Sequence, residues 1–234
     1  MTEKRRYHAI DALRGFSLLL MVLHHWGYDL VDYHLVPSWL LHNGVVDALH
    51  ILFASVFVAI SGACSTFSRS NLKRGLVILA AALAVTGATY IFDKDYYIKF
   101  GILHFLGCAA LIYELLRKSG FFRRIHGAVW PVLFAASYPL LYMDFDVKYL
   151  SFLGFKNASY ASYDYFPILP WIFMYFFGTV LGGIISSDKF PGWFYRIKSP
   201  FLEKVGRASI WIYLLHQPVL MVLTMGIAKL AGTY

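Results

Sequence analysis

The chain has 234 residues, of which 59% are hydrophobic and only 15% are charged. This composition excludes an ordinary soluble domain, in which about 25% of residues are charged, and indicates an integral membrane protein. The formal net charge of +8 is divided among short groups between apolar segments. Because membrane orientation already accounts for such groups, we expect no nucleic-acid partner.

Seven apolar segments approach or exceed the roughly 20 residues that cross a bilayer. We therefore predict an all-α, polytopic bundle of about seven transmembrane helices that forms one domain over residues 1–234. The fifth segment is short and contains Pro131 and Pro139, although proline is tolerated in membrane helices. Gly178 and Gly182 form a GxxxG pattern in the sixth segment, which predicts the close approach of another helix. The predicted spans are residues 9–30, 44–66, 75–92, 98–116, 127–143, 167–185 and 208–230.

The basic residues predict how the bundle is oriented, because lysine and arginine accumulate in cytoplasmic loops. With the N-terminus inside, most of them lie in the N-terminal segment and in the second, fourth and sixth connections. The outer connections then hold only Lys94, Lys99, Lys148 and Lys156. We therefore expect a cytoplasmic N-terminus and a C-terminus on the outer side.

The first predicted span carries an unusual number of ionisable residues for a membrane segment, namely Asp11, Arg14, His24, His25 and Asp29. Such residues are costly in a membrane and usually mark a functional path. At about 100° per residue, the step from Arg14 to His25 ends about 20° from three whole turns, so the two side chains share a helix face. They are separated by about 16 Å along the axis. This face is the first candidate for a reaction or transport path.

Histidines in four different predicted spans are the second indication of chemistry, namely His25, His50, His104 and His216. The predicted orientation places three of them in the outer half of the membrane and His216 near its middle. One histidine alone is readily explained as an interior side chain with satisfied hydrogen bonds. Four together favour proton transfer, because histidine titrates near neutral pH and is the usual general base.

Several short segments carry a resemblance to known membrane enzymes. The opening span resembles that of multi-pass acyltransferases that modify glycans, in which an arginine and a histidine recur at the spacing of Arg14 and His25. More closely, the chain resembles small bacterial membrane proteins related to the catalytic domain of heparan-α-glucosaminide N-acetyltransferase. The segments that carry the resemblance are residues 10–15 (IDALRG), 20–25 (LMVLHH), 100–107 (FGILHFLG), 169–171 (LPW) and 214–220 (LLHQPVL).

The resemblance implies a reaction in which an acyl group, expected to be acetyl, moves from cytoplasmic acyl-CoA to a hydroxyl or amine of a sugar or glycan. The acceptor would lie on the extracytoplasmic side of a bacterial cytoplasmic membrane. Acyl-CoA is then the donor substrate, and no metal is expected.

Under this hypothesis each candidate residue has a role. Arg14 binds an anionic part of the donor or pairs with Asp11. The alternative is that Asp11 and Arg14 form an ion pair with no catalytic role, which only fixes helix packing. His25 deprotonates the acceptor or briefly carries the acyl group. His104 and His216 orient other groups or donate to an oxyanion.

The resemblance also implies a catalytic histidine just outside the first span, where this chain offers His34 and His42. His25 ranks first because helix geometry places it on the face of Arg14. His42 ranks second because it precedes Asn43 and Asp47, which are polar residues at the outer mouth of the second span.

Two other classes of protein remain open. A proton-coupled transporter also needs ionisable residues in its spans, although no inverted repeat is detectable in the chain. A membrane haem protein could use histidines on facing helices as iron ligands, whereas the spacing typical of a zinc site is missing. A homo-oligomer is compatible with either class and with the enzyme.

Overall fold

The computed structural model describes residues 6–147 and 149–233. Within these ranges the regular structure is helical, and no β-strand is formed. Short 3-10 turns lie at Ser38–Leu40, Tyr138–Tyr142 and Ser151–Leu153. The α-helices are α1 (His8–Asp32), α2 (Gly44–Phe67), α3 (Asn71–Phe92), α4 (Ile102–Leu116), α5 (Gly120–Arg124), α6 (Val129–Ser137), α7 (Ile168–Ser186), α8 (Gly192–Arg196), α9 (Pro200–Arg207) and α10 (Ser209–Ala231).

The all-helical, polytopic fold class is confirmed. Among the described residues, four helices are long and apolar enough to cross a membrane, namely α2, α3, α7 and α10. Helix α1, with 25 residues, is also long enough but carries charged residues. Helix α4 has 15 residues, fewer than the roughly 20 that a perpendicular crossing needs. The chain is therefore an integral membrane protein, whereas the count of seven crossings and the orientation stay predictions.

The predicted fifth span, residues 127–143, is not one regular helix. Helix α6 has only 9 residues, and the chain then continues as the 3-10 turn Tyr138–Tyr142 with Pro139 near its start. A proline has no backbone N–H and its ring crowds the preceding turn, so an α-helix does not continue through it without distortion.

The described residues divide into two compact units. Unit 1 combines the chain up to Phe57 with the chain from Phe190 onward, and unit 2 is Val58–Lys189. The division falls inside α2. Unit 1 contains α1, the first part of α2 and helices α8 to α10, whereas unit 2 contains the rest of α2 and helices α3 to α7.

In unit 1, the main chains of α1 and α9 touch each other. A Cβ atom added to Gly15 would overlap the carbonyl oxygen of Leu202, and one added to Gly206 would overlap the carbonyl oxygen of Asp11. Only glycine permits this approach, because any side chain at either position would force the two backbones apart. Helix α9 lies in the basic segment that the sequence predicted to be a connection.

Polar contacts fix the same pair of helices at their edges. The Glu203 carboxylate accepts a hydrogen bond from Nδ1 of His8 over 2.7 Å and another from the backbone N–H of Ser199 over 3.1 Å. The hydrogen bond from His8, helped by that of Ser199, lowers the pKa of Glu203 below its ordinary value. Glu203 therefore ties the start of α1 to the start of α9.

In unit 2, the GxxxG pattern of α7 lies against α2. A Cβ at Gly178 would overlap the carbonyl oxygen of Ala59, and one at Gly182 would come 2.8 Å from the carbonyl oxygen of Ala63. The predicted close approach of another helix to this pattern is confirmed.

We predict that Gly206→Ala destabilises the protein by about 1–3 kcal/mol, because overpacking a tight contact costs this much. The matched control is Gly226→Ala in α10, where an added Cβ would meet nothing within 4 Å. Thermal unfolding of the detergent-purified variants measures the difference. Equal melting temperatures for the two variants would contradict the close contact between α1 and α9.

Candidate active site

Unit 1 brings together four histidines from three helices. The His25 ring of α1 lies 5.2 Å from the His216 ring of α10, measured between centroids. The adjacent His24 ring stacks on His50 of α2, with centroids 4.6 Å apart and planes only 3° from parallel. Since the His24 and His25 rings are 6.1 Å apart, the four imidazoles form one continuous row, which we call the histidine cluster.

The cluster extends through Tyr28 toward the connection between α1 and α2. The Tyr28 ring lies 4.9 Å from the His24 ring and 5.4 Å from the His42 ring. His42 is exposed, and its Nδ1 lies 3.0 Å from the carbonyl oxygen of Ser38. The two histidines that the sequence ranked first and second, His25 and His42, therefore belong to the same group of rings.

Backbone carbonyl oxygens fix the tautomers of His216 and His42. Nδ1 of His216 lies 2.6 Å from the carbonyl oxygen of Tyr213. Because a carbonyl oxygen can only accept, this Nδ1 carries the hydrogen, and Nε2 of the neutral ring keeps its lone pair. The same reasoning assigns Nε2 of His42 as an acceptor. Each of these two rings thus presents a nitrogen that can take up a proton.

A polar pair, Asp29 of α1 and Gln217 of α10, joins the two helices that carry His25 and His216. The side-chain amide of Gln217 donates to Oδ1 of Asp29 over 2.8 Å, and Asp29 is only 8% exposed. The other oxygens of the pair, Oδ2 of Asp29 and Oε1 of Gln217, are buried and have no hydrogen-bond partner among the described residues. Two acceptors are therefore shielded from solvent without a donor, an arrangement that is costly unless a ligand donates to them.

Gln217 was not among the site residues predicted from the sequence. Its signal was its position directly after His216 in the segment LLHQPVL. Asp29 was noted as one of the charged residues of the first span, but its partner could not be identified from a single helix.

Arg14 lies at the opposite end of the same face of α1. Its Nη1 atom is 3.4 Å from Oδ1 of Asp11 and 3.4 Å from the carbonyl oxygen of Gly206. Asp11 has a closer partner, because Nη2 of Arg6 lies 2.9 Å from its Oδ2. Arg14 and His25 therefore both contact the C-terminal segment, as their predicted common face requires, and Asp11 is shared between two arginines.

His104 lies in unit 2, where both of its ring nitrogens are used. Nδ1 accepts a hydrogen bond from the backbone N–H of Gly101 over 3.3 Å, and Nε2 lies 3.2 Å from Oγ1 of Thr86. The Thr86 hydroxyl donates to the carbonyl oxygen of Ile98, so Nε2 of His104 is the donor in its own bond. A ring engaged in this way has no free acceptor for a substrate proton.

Within residues 6–147 and 149–233, no group of three histidine, cysteine, aspartate or glutamate side chains is arranged to hold a metal ion.

The sequence was compared with those of known protein families. Residues 6–218 match the sequence model of the family described as "Heparan-alpha-glucosaminide N-acetyltransferase, catalytic". Comparison with curated proteins and with solved structures yields no match.

We predict that Asp29 and Gln217 are energetically coupled. Gln217→Leu should cost about 1–3 kcal/mol, because it removes the donor from a buried carboxylate. The Asp29→Leu/Gln217→Leu double variant should then lose less stability than the sum of the single variants, by about 0.5–3 kcal/mol. Unfolding of all four proteins in one detergent measures the coupling, and strictly additive losses would show that the hydrogen bond carries no energy.

Proposed function

The chain belongs to the family of the catalytic domain of heparan-alpha-glucosaminide N-acetyltransferase, and on this premise we propose that it transfers an acetyl group from acetyl-CoA to a sugar. Membership of the family implies a transferase, and the apolar helices make it a membrane enzyme. We further propose that the donor arrives from the cytoplasm and that the acceptor is a hydroxyl or amine presented on the other side. The observations that carry the proposal are the contact between the His25 and His216 rings and the Asp29–Gln217 hydrogen bond, which join the same two helices.

In this proposal His25 is the general base and His216 orients it. The carbonyl oxygen of Tyr213 holds the hydrogen of His216 on Nδ1, so Nε2 of His216 can accept a hydrogen bond from His25. The centroid separation of 5.2 Å leaves room for a hydrogen bond between the two rings, which would align when substrates bind, since catalytic hydrogen bonds are often poorly aligned in unliganded proteins. The second nitrogen of His25 then has a lone pair for the proton of the acceptor.

The transfer forms a bond between the acceptor and the acetyl carbon and breaks the carbon–sulfur bond of the thioester. The acceptor oxygen or nitrogen attacks the carbonyl carbon of the thioester while its proton passes to His25. The carbon–sulfur bond then breaks, and the departing thiolate of CoA takes the proton from His25. The products are the acetylated sugar and free CoA, and His25 returns to its neutral form.

The unpaired oxygens of Asp29 and Gln217 support a polyhydroxylated acceptor. A carboxylate or amide oxygen accepts hydrogen bonds, and each sugar hydroxyl is a donor. We propose that two hydroxyls of the acceptor donate to Oδ2 of Asp29 and Oε1 of Gln217 and thereby hold it beside His25.

For the donor, we propose that Arg14 binds a phosphate of CoA. A guanidinium matches the oxygens of a phosphate, and the Arg14 side chain is 22% exposed. Asp11 would hold Arg14 in place, with Arg6 as its closer partner.

The remaining candidates take other roles in the proposal. His42, exposed beside Tyr28, is the second candidate for the base at the outer mouth of the histidine cluster. His104 positions the start of α4, because its Nδ1 accepts from the backbone N–H of Gly101.

The test is acetyl transfer by the detergent-purified protein, with acetyl-CoA as donor and glucosamine or neutral monosaccharides as acceptors, followed by mass spectrometry. His25→Gln should lower kcat by about 10²–10⁴-fold, the usual contribution of a general base. The matched control is His126→Gln, which changes an exposed histidine of unit 2 and should leave the rate unchanged. Melting temperatures of the variants report whether each one is folded.

Full activity of a folded His25→Gln variant would overturn its role as base. If His42→Gln alone abolished transfer, the base would lie at the outer mouth of the cluster. Absence of transfer to every acceptor by the folded protein would contradict the proposed reaction.

A further inference from the structure

A cleft with a volume of 330 Å³ opens in unit 2, at the C-terminal ends of α4 and α7. This volume lies at the lower end of the range of small-molecule sites, roughly 300–1,000 Å³. The predicted orientation puts these helix ends at the cytoplasmic surface of the membrane. The side chains and backbone that line the cleft belong to Tyr113, Arg117, Phe122, Ile125, Trp130, Thr179, Val180 and Gly183.

The cleft combines an apolar wall with a cation. Phe122 and Trp130 contact each other with ring centroids 5.5 Å apart, and Val180 adds an aliphatic surface. The Arg117 side chain is 42% exposed, and its Nη2 lies 2.6 Å from Oε1 of Glu114. A ligand that fits such a cleft carries an anionic group next to an apolar part.

A hydrogen-bonded network that includes Arg117 of the cleft has more positive than negative charge. The second oxygen of Glu114 accepts from the amide of Asn71 over 3.2 Å, and the same amide donates to the carbonyl oxygen of Ser65. The Ser65 hydroxyl in turn accepts from Nη1 of Arg74 over 2.6 Å. The single carboxylate of Glu114 therefore lies in one network with two guanidinium groups, those of Arg117 and Arg74.

Arg74 does not have a carboxylate of its own within the described chain. Its other terminal nitrogen donates to the hydroxyl and the carbonyl oxygen of Ser61, over 2.7 Å and 3.2 Å. All these acceptors are neutral, so the network retains an excess positive charge at the cytoplasmic end of the unit.

We propose that this cleft binds an anionic phospholipid of the inner leaflet. Its phosphate would contact Arg117, and part of one acyl chain would lie against Phe122, Trp130 and Val180. Three features support this occupant: the apolar helices place the cleft beside lipid, the excess charge is positive, and the cytoplasmic leaflet is the anionic one. The proposal is independent of the acyl-transfer reaction.

The test measures lipid binding to the full-length, detergent-purified protein by native mass spectrometry. Phosphatidylglycerol should be retained in preference to phosphatidylcholine. Arg117→Gln should weaken this preference about fivefold, the effect of one basic residue near an anionic headgroup. The matched control, Lys118→Gln, removes the neighbouring exposed cation, which does not line the cleft, and should leave the preference unchanged.

A second pair of variants tests the apolar part of the cleft. Gly183→Phe should reduce phosphatidylglycerol binding by filling the cleft, since an added Cβ there would meet nothing within 4 Å. Gly87→Phe in α3 is the control, because its position is equally open and lies outside the cleft.

Three results would overturn the proposal. Equal retention of the two lipids would show that the cleft does not select a negative charge. An equal loss in Lys118→Gln and Arg117→Gln would assign the effect to general surface charge. Displacement of the bound lipid by CoA would show that the phosphate recognised by Arg117 belongs to the donor.

Discussion

The close contact between α1 and the C-terminal segment is the constraint on which unit 1 depends. Gly15 and Gly206 let the main chains of α1 and α9 touch, and α10 begins directly after α9. This contact fixes how far α10 lies from α1, and so allows Asp29 and Gln217 to form a hydrogen bond although they are 188 positions apart in the chain. The contact between His25 and His216 depends on the same separation.

Buried polar groups in a membrane protein need partners, and His104 and the Asp29–Gln217 pair meet this requirement differently. In unit 2, the hydrogen bonds of His104 to Gly101 and Thr86 use both of its nitrogens. In unit 1, oxygens of Asp29 and Gln217 stay buried without donors. Since an unpaired buried acceptor costs free energy, the second arrangement is the one that a substrate would stabilise. This difference is why we place the proposed active site at Asp29 and Gln217 and assign a structural role to His104.

Much of the fold could be predicted from the sequence, because an apolar segment of sufficient length has few alternatives to a helix in a membrane. The second predicted span, residues 44–66, agrees with α2 to within one residue at its end. Helix α9 was missed because it has only 8 residues in a basic segment, which the orientation rule identifies only as cytoplasmic. The prediction of the fifth span as one regular helix was wrong. Membrane helices tolerate proline, and this tolerance does not indicate where a helix changes into a 3-10 turn.

The candidate site was predictable as a face of one helix but not as a set of contacts. The 11-residue spacing predicted that Arg14 and His25 point the same way, and both contact the C-terminal segment. Helix periodicity does not identify what lies opposite, so Gln217 and the hydrogen bond between His216 and Tyr213 required the three-dimensional arrangement. Helix periodicity and predicted membrane depth also could not indicate that His104 is not a member of the histidine cluster, because neither specifies which helices are neighbours.

Acetyl transfer across a sealed membrane distinguishes an enzyme that acts between the two membrane faces from one that acts within a single compartment. Proteoliposomes would be loaded with glucosamine, and acetyl-CoA would be added only to the outside, where the cytoplasmic face of part of the protein population is exposed. We expect acetylated sugar inside the vesicles. Product that forms only when donor and acceptor share one compartment would contradict transfer from one side of the membrane to the other.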